Sequence, residues 1–278
     1  MSARAPWVPV PAVLSLLLAL ALSACGGGGD RLALGATTSL QDTGFLDEIV
    51  SAFETQSGYD VAAVTPLIAG SGQVLELARR GEIDVLITHS PEAEQRFMDE
   101  GHGSARQPFM QSRFLIVGPE EDLAGIAGAA TIAEAFRRIA GGGYSFVSRG
   151  DASGTHAREL AIWEEAGIDP AGQPWYQESA VGQGQNLLVA SDKGAYTLVD
   201  SATFAVFRER LSLVELAVDN EQFNVYSVIL VNPEKHDDVN AESARAFFDF
   251  ITSPAAAAII EDFGRDKYGE SLFEPLTR

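Results

Sequence analysis

Arg113-Phe114-Leu115-Ile116-Val117 runs apolar into Gly118-Pro119, and Val225-Tyr226-Ser227-Val228-Ile229-Leu230-Val231 does the same into Asn232-Pro233. A short apolar run closed by turn residues is the pattern of a buried strand. The two runs bracket a middle block with its own β–α pattern: a strand over residues 144–147, a helix over about 155–167 and a strand over 195–199. We read the pair as crossing strands, by which the chain leaves a first lobe and later returns. This places residues 30–112 and 232–278 in lobe one and residues 113–231 in lobe two. A cleft between two such lobes is a preferred place for a small ligand.

Outward from the first run, towards the N-terminus, strand and helix patterns alternate. Residues 31–35 read as a strand, followed by the polar Thr37-Thr38-Ser39. A helix over about 43–56 follows, with Phe45, Leu46, Ile49, Val50 and Phe53 at i, i+3/i+4 spacing and Gly58 as its stop. Residues 59–64 predict a second strand. Gly70-Ser71-Gly72 opens a helix carrying Val74, Leu75, Leu77 and Ala78, which Gly81 ends. Residues 85–88 predict a third strand, and Pro91 begins a helix reaching Met98. The alternation predicts an α/β protein with a mostly parallel sheet and helices on its faces. The alanine-rich stretch 124–140 is amphipathic and predicts one more helix.

The first residues have a different character. Arg4 precedes an apolar run from Val8 to Leu22, too short for a membrane span, and the run ends in Leu22-Ser23-Ala24-Cys25. Small residues before a cysteine are the pattern of a bacterial lipobox. Residues 1–24 are therefore expected to be a lipoprotein-type signal peptide, with Cys25 lipidated and residues 25–29 forming a glycine tether. Cys25 is the sole cysteine in the sequence, so an internal disulfide is excluded. The expectation is an exported chain, anchored by lipid and facing the periplasm or the cell exterior.

Composition limits the function classes. An apolar fraction of 46% and an aromatic fraction of 9% belong to a globular protein. A formal net charge of -20 argues against nucleic acid and against an anionic membrane surface as partners. The same charge disfavours long-range attraction of an anion, so an anion site needs local donors, with salt screening the field beyond about 8–10 Å. The four histidines, His89, His102, His156 and His236, lack metal-ligand spacing, and neither a metal nor a cofactor is expected.

Chemistry concentrates in Ser148-Arg149-Gly150-Asp151-Ala152-Ser153-Gly154-Thr155-His156, between a strand and a helix carrying Leu160, Ile162 and Trp163. Ser153 or Thr155 caps that helix in this reading, leaving backbone N–H groups and the helix dipole for an anion. Arg149 adds a permanent charge and a planar fork of donors suited to a pair of oxygens. Thr37-Thr38-Ser39 and Gly70-Ser71-Gly72 occupy equivalent strand-to-helix turns, at the carboxyl ends of strands where ligands bind. Either alone reads as a cap and turn. Three hydroxyl-rich turns with one arginine together make an oxyanion cleft. Gly182-Gln183-Gly184-Gln185-Asn186 reads equally as a further donor loop or as a plain helix start.

Thr37-Thr38-Ser39-Leu40-Gln41-Asp42-Thr43-Gly44, Asp84-Val85-Leu86-Ile87-Thr88-His89-Ser90-Pro91, the 148–156 segment and Tyr226-Ser227-Val228-Ile229-Leu230-Val231-Asn232-Pro233 resemble the tungstate-binding proteins of bacterial ABC uptake systems. The resemblance runs in order from about Leu32 to the C-terminus. It implies the two-lobed type II periplasmic-binding-protein fold, a monomer, tungstate or molybdate as ligand, and a membrane permease as partner. It also implies oxyanion contacts at Thr38, Ser39, Ser71, Ser148, Arg149, Ser153 and Thr155. Ser71-Gly72-Gln73 replaces a threonine common in the family and keeps the hydroxyl. Thr88 and Ser90 flank His89 where small apolar residues are frequent.

Three rivals stand beside this reading. A phosphate-binding protein would profit from an acceptor for the ligand's proton, for which Asp151 is the candidate. A secreted hydrolase would recruit Ser153, His156 and Asp151, but their crowding on one turn is poor geometry for a triad, and no Gly-x-Ser-x-Gly elbow occurs. A sensor that binds the anion without feeding a permease has the same sequence signature. Arg158, on the following helix, is expected outside the ligand shell.

Overall fold

The computed structural model describes residues 31–57 and 64–276. The expected signal peptide, Cys25, the tether and nearly all of the strand expected over 59–64 lie outside the described residues.

Strand β1 (Leu32–Thr37) runs into a short helix α1 (Thr38–Thr43), which Gly44 ends at φ 80, and α2 (Phe45–Ser57) follows. The sequence suggested one helix from about 43. That helix is α2; ahead of it the polar stretch from Thr38 forms the separate α1, set off by left-handed Gly44, because a helix closed by glycine in that conformation cannot continue. Then come β2 (Val64–Ala69), α3 (Ser71–Arg79), β3 (Val85–Thr88) and α4 (Pro91–Asp99). Strand β4 spans Gly103–Gly118. The alanine-rich stretch is not one helix: a 3-10 turn, Ile126–Gly128, is followed by α5 (Ile132–Gly142), whose N-cap Thr131 accepts from the Glu134 N–H. Gly125 at φ 65 and the Thr131 cap place the true start later than amphipathicity alone suggests.

The second lobe continues with β5 (Phe146–Ser148), α6 (Gly154–Ala166), β6 (Tyr176–Glu178), α7 (Gln183–Lys193), β7 (Thr197–Asp200) and α8 (Ser201–Phe207). Strand β8 (Val214–Val231) returns the chain to the first lobe, where α9 (Ala241–Ile251), α10 (Pro254–Asp262), α11 (Arg265–Tyr268) and β9 (Glu274–Pro275) complete it.

The main sheet has the order β2-β1-β3-β8-β4-β7, with β9 on β4. Parallel pairing joins β1 to its neighbours β2 and β3, β5 to β6, and Phe146 of β5 to Tyr196 by a single bridge; the crossing strands pair antiparallel. The sheet is therefore mixed and not mostly parallel: every antiparallel pair involves a crossing strand, β4 or β8. Residues 227–230 of β8 pair with β3, and residues 114–117 of β4 pair with β7, so each crossing strand belongs to both lobes.

Alternation along the strands divides the core into layers on either side of the sheet. Val85 and Ile87 face the cluster of Leu34, Phe45, Phe53 and Phe247, whereas Leu86 faces Val74, Leu75 and Phe97. In the second lobe Phe114 and Ile116 join Phe136, Phe146 and Trp163, while Leu115 and Val117 join Leu187 and Val199. This period of two is what strand geometry imposes. Each such side chain contributes about 1.5–3 kcal/mol of burial. Helix α8 inserts Ala202 and Ala205 into the first lobe's cluster, tying the lobes together behind the cleft.

Candidate functional site

The turn from β5 to α6 is folded on itself by short-range bonds. Gly150 and Ala152 adopt left-handed φ values of 59 and 55. Asp151 Oδ1 accepts from the Ser153 N–H at 3.1 Å, and Ser153 Oγ accepts from the His156 N–H at 3.2 Å as the N-cap of α6. His156 Nδ1 accepts from the Ala152 N–H at 3.1 Å. Gly154 is required here: a Cβ would lie 2.1 Å from the His89 carbonyl oxygen, so only glycine lets α6 start this close to lobe one.

Arg149 is 1% exposed, and a buried guanidinium must be paired. Its Nη1 donates to Gln183 Oε1 at 3.1 Å, and Nη2 donates to Thr38 Oγ1 at 3.3 Å and pairs with Asp151. Its Nε is buried with no partner among the described residues, as is Thr155 Oγ1. Asp42 and Asp200 also lie within the field of Arg149. Burial raises both carboxyls above their ordinary range; the guanidinium, together with a backbone N–H from Gly184 at Asp42 and from Thr203 at Asp200, pulls the other way.

The opposite wall comes from lobe one. Ser39 Oγ lies 3.2 Å from Thr37 Oγ1 and 3.1 Å from the Tyr226 hydroxyl, which in turn accepts from Asn224 Nδ2 at 3.1 Å. Asn224 also bonds His89 Nδ1 at 2.7 Å. Burial, ahead of the opposing Asn224 bond, lowers the His89 pKa to about 4, so the ring is neutral. Ser71 Oγ accepts from the His89 N–H at 3.3 Å, which leaves its own hydrogen to donate elsewhere. Helices α1 and α3 start at Thr37 and Gly70 without a side-chain cap. The two walls touch: a Cβ on Gly70 would lie 3.3 Å from the Asp151 carbonyl oxygen, and one on Gly72 3.0 Å from that of Ala152.

Thr38, Ser39 and Ser71 thus lie on lobe-one turns, and Arg149, Ser153 and Thr155 on the facing lobe-two turn; all but Thr38 are buried. Ser148 is placed differently. Its Oγ accepts from the Gly150 N–H at 3.3 Å and its hydroxyl bonds Glu159, so its donor is engaged inside lobe two. Glu159 also accepts from Tyr176 at 2.8 Å and Trp163 at 3.1 Å, and burial outweighs these bonds to raise its pKa to about 7. Thr88 and the Ser90 N–H both donate to Glu94 at 2.9 Å, a structural knot completed by Arg106.

Sequence reasoning missed Asp42, Gln183, Asn224 and Tyr226. Asp42 and Tyr226 stand in the quoted motifs and Gln183 in the glycine-rich segment, but none had a visible partner. Arg158 is not an idle surface residue: it is buried, with Asp219 at 2.7 Å and Glu165 at 2.8 Å, so its truncation would test stability rather than binding. The Ser153–His156–Asp151 trio is no triad, because Ser153 meets a backbone N–H of residue 156 and the imidazole Nδ1 is held by Ala152. Among the described residues no three His, Cys, Asp or Glu side chains are grouped to hold a metal, and no helix is long and apolar enough to cross a membrane.

A family model described as a PBP superfamily domain matches residues 26–255. The tungstate-binding protein TupA of Peptoclostridium acidaminophilum is 36% identical over 275 residues, covering 94% of this chain and 95% of that protein. Among solved structures, the tungstate ABC transporter protein of Geobacter sulfurreducens superposes with a TM-score of 0.76 at 39% identity, covering 84% of this chain and 99% of that one. The tungstate-binding protein TupA of Desulfovibrio alaskensis G20 gives 0.73 at 34% identity, covering 89% and 99%. With its two lobes, its crossing strands and its hydroxyl-lined cleft, the chain belongs to the periplasmic binding protein superfamily, in the family of these tungstate-binding proteins.

Proposed function

We propose that this chain is the extracytoplasmic solute-binding component of an ABC uptake system, exported and lipid-anchored at Cys25, and that it captures tungstate, with molybdate as a second cargo. The observation that carries this reading is a set of buried donors with no partner among the described residues, Arg149 Nε, Thr155 Oγ1 and His156 Nε2, on the lobe-two turn that meets the hydroxyl-bearing turns of lobe one. Such donors cost stability unless an acceptor meets them, and a fully ionised tetrahedral oxyanion offers acceptors in every direction.

Thr38, Ser39 and Ser71 would hold the anion from lobe one, and Arg149, Ser153 and Thr155 from lobe two. Ser148 would position the β5–α6 turn. Because the anion contacts both walls only when they meet, it favours the closed arrangement by those extra contacts. The closed form then docks on the permease and releases its cargo. The identity of the relatives supports the same assignment. Hydrogen phosphate is disfavoured because its proton needs an acceptor, and the Asp151 carboxylate is committed to Arg149 and the Ser153 N–H.

Calorimetric titration of one purified sample with tungstate, molybdate, sulfate and phosphate tests this. Tungstate and molybdate are expected to bind far more tightly than phosphate. Tighter binding of phosphate, or no response to any oxyanion, overturns the proposal.

A further inference from the structure

Helix α7 starts at Gly182, which has no side chain to cap the first turn. The cap comes from the other lobe instead: the Gly184 N–H donates to Asp42 Oδ2 at 2.9 Å. Asp42 lies on α1, in the lobe-one wall, and Gly184 opens the helix behind the lobe-two wall. The approach is close enough that a Cβ on Gly182 would stand 3.5 Å from Thr38 Cβ. We propose that Asp42 is the latch of the closed state, a carboxylate that fastens the two lobes through the N-terminus of α7 and so sets how long the cargo is held. The inference rests on the anion-binding reading for its cargo, but the latch itself does not.

The physical reasoning starts from what closure does to each partner. A helix N-terminus carries unsatisfied N–H groups and a positive end, and a carboxylate is the group that best answers both. In the closed arrangement Asp42 supplies that answer in a partly desolvated place. When the lobes part, α7 loses its cap and Asp42 returns to water. The Gly184 hydrogen bond and the positive end of α7 favour closure without any help from the anion, working against the burial that raises the Asp42 carboxyl. A carboxylate so near Arg149 would otherwise be a liability for a site that takes a dianion. This gives the proposal an unusual sign: if Asp42 acted only through its charge, its removal would tighten anion binding, whereas a latch predicts faster release.

Two measurements test it. In the first, Asp42→Ala and the milder Asp42→Asn are compared with wild type in stopped-flow release of tungstate. Release is expected to quicken roughly tenfold for Asp42→Ala and less for Asp42→Asn, with the association rate nearly unchanged. Unchanged or slower release overturns the latch. The second needs no anion. A Thr38→Cys/Gly182→Cys pair, in a chain carrying Cys25→Ser, has the Cβ spacing a disulfide requires and cross-links only when the lobes meet. Adding Asp42→Ala should slow cross-linking several-fold, and an unchanged rate overturns the latch. If wild type fails to bind tungstate while Asp42→Ala still slows the cross-link, the anion reading falls and the latch stands.

Discussion

The two walls of the cleft solve the same problem with different materials. The lobe-two wall carries the charge: a buried arginine in a self-bonded turn, whose helix α6 is already capped by its own Ser153. The lobe-one wall carries hydroxyls in the first turns of helices α1 and α3, neither of which has a side-chain cap, and its one carboxyl, Asp42, is turned to the start of α7. Charge on one side therefore meets unspent backbone N–H groups on the other. The division has a physical logic. A guanidinium needs permanent partners to stay buried through opening and closing, and Gln183 and Asp151 provide them within its own lobe. Hydroxyls and backbone N–H groups tolerate water and can be left open between captures.

This contrast can be broken from either side. The largest effect is expected from Arg149→Ala, which should weaken tungstate binding roughly a hundredfold, about 3 kcal/mol. Arg149→Lys should recover only part of that, since the ammonium lacks the planar fork. If calorimetry finds both variants within twofold of wild type, the charged wall has no role in binding.

Next comes the support of the charged wall. The Glu159 carboxyl titrates near 7 instead of 4.5, so the folded chain keeps a proton that the unfolded chain releases. Its contribution to stability is fully present below about 4.5 and is lost as pH rises through about 7. Glu159→Gln should remove that decline, on the order of 3 kcal/mol, in denaturant titrations at about pH 5 and about pH 8. His89, behind the lobe-one wall, has the opposite sign. Its lowered pKa gives stability that is present above 6.5 and lost as pH falls through about 4. A variant lacking the imidazole should lose the acid-side dependence while keeping the neutral-side one.

Single neutral donors are expected to matter less and alike. Thr155→Val and Ser71→Ala should each cost roughly five- to tenfold in tungstate affinity, about 1 kcal/mol. A much larger loss at Ser71 would mean that the two walls are not divided as described. The smallest effect is expected at the rim. Arg80 pairs with Glu82 in the open, and Arg80→Ala should change stability by less than about 0.5 kcal/mol.

Much of this was legible before any coordinates. Apolar periodicity located α2, α3, β3 and the C-terminal halves of both crossing strands, because those segments are buried in cores with a regular period. The N-terminal halves, such as Gly103-Ser104-Ala105-Arg106-Gln107, were not legible, since their ladder partners supply the order that their polar side chains hide. In the site, Arg149 and the hydroxyl turns announced themselves by composition next to a helix start. Gln183 and Asp42 did not, because their roles depend on partners far along the chain. The Ser148 surroundings are hidden for a related reason: a serine beside the arginine looks like a donor to the cleft, and the sequence gives no sign of Glu159 behind it.

The pairing of β4 with β8 loses its regular register at four places, the widest between Arg113 and Leu115. There β8 steps from Phe223 to Val218, leaving residues 219–222 outside the ladder. Asp219 gathers the Glu221 and Gln222 N–H groups there and grips Arg158 of α6. Residues 219–222 are therefore the least braced part of the crossing strands, and the Asp219–Arg158 pair ties them to α6. Amide exchange in residues 219–222 should therefore follow the opening stroke directly, and a cross-strand staple there should freeze the stroke while leaving both lobes folded.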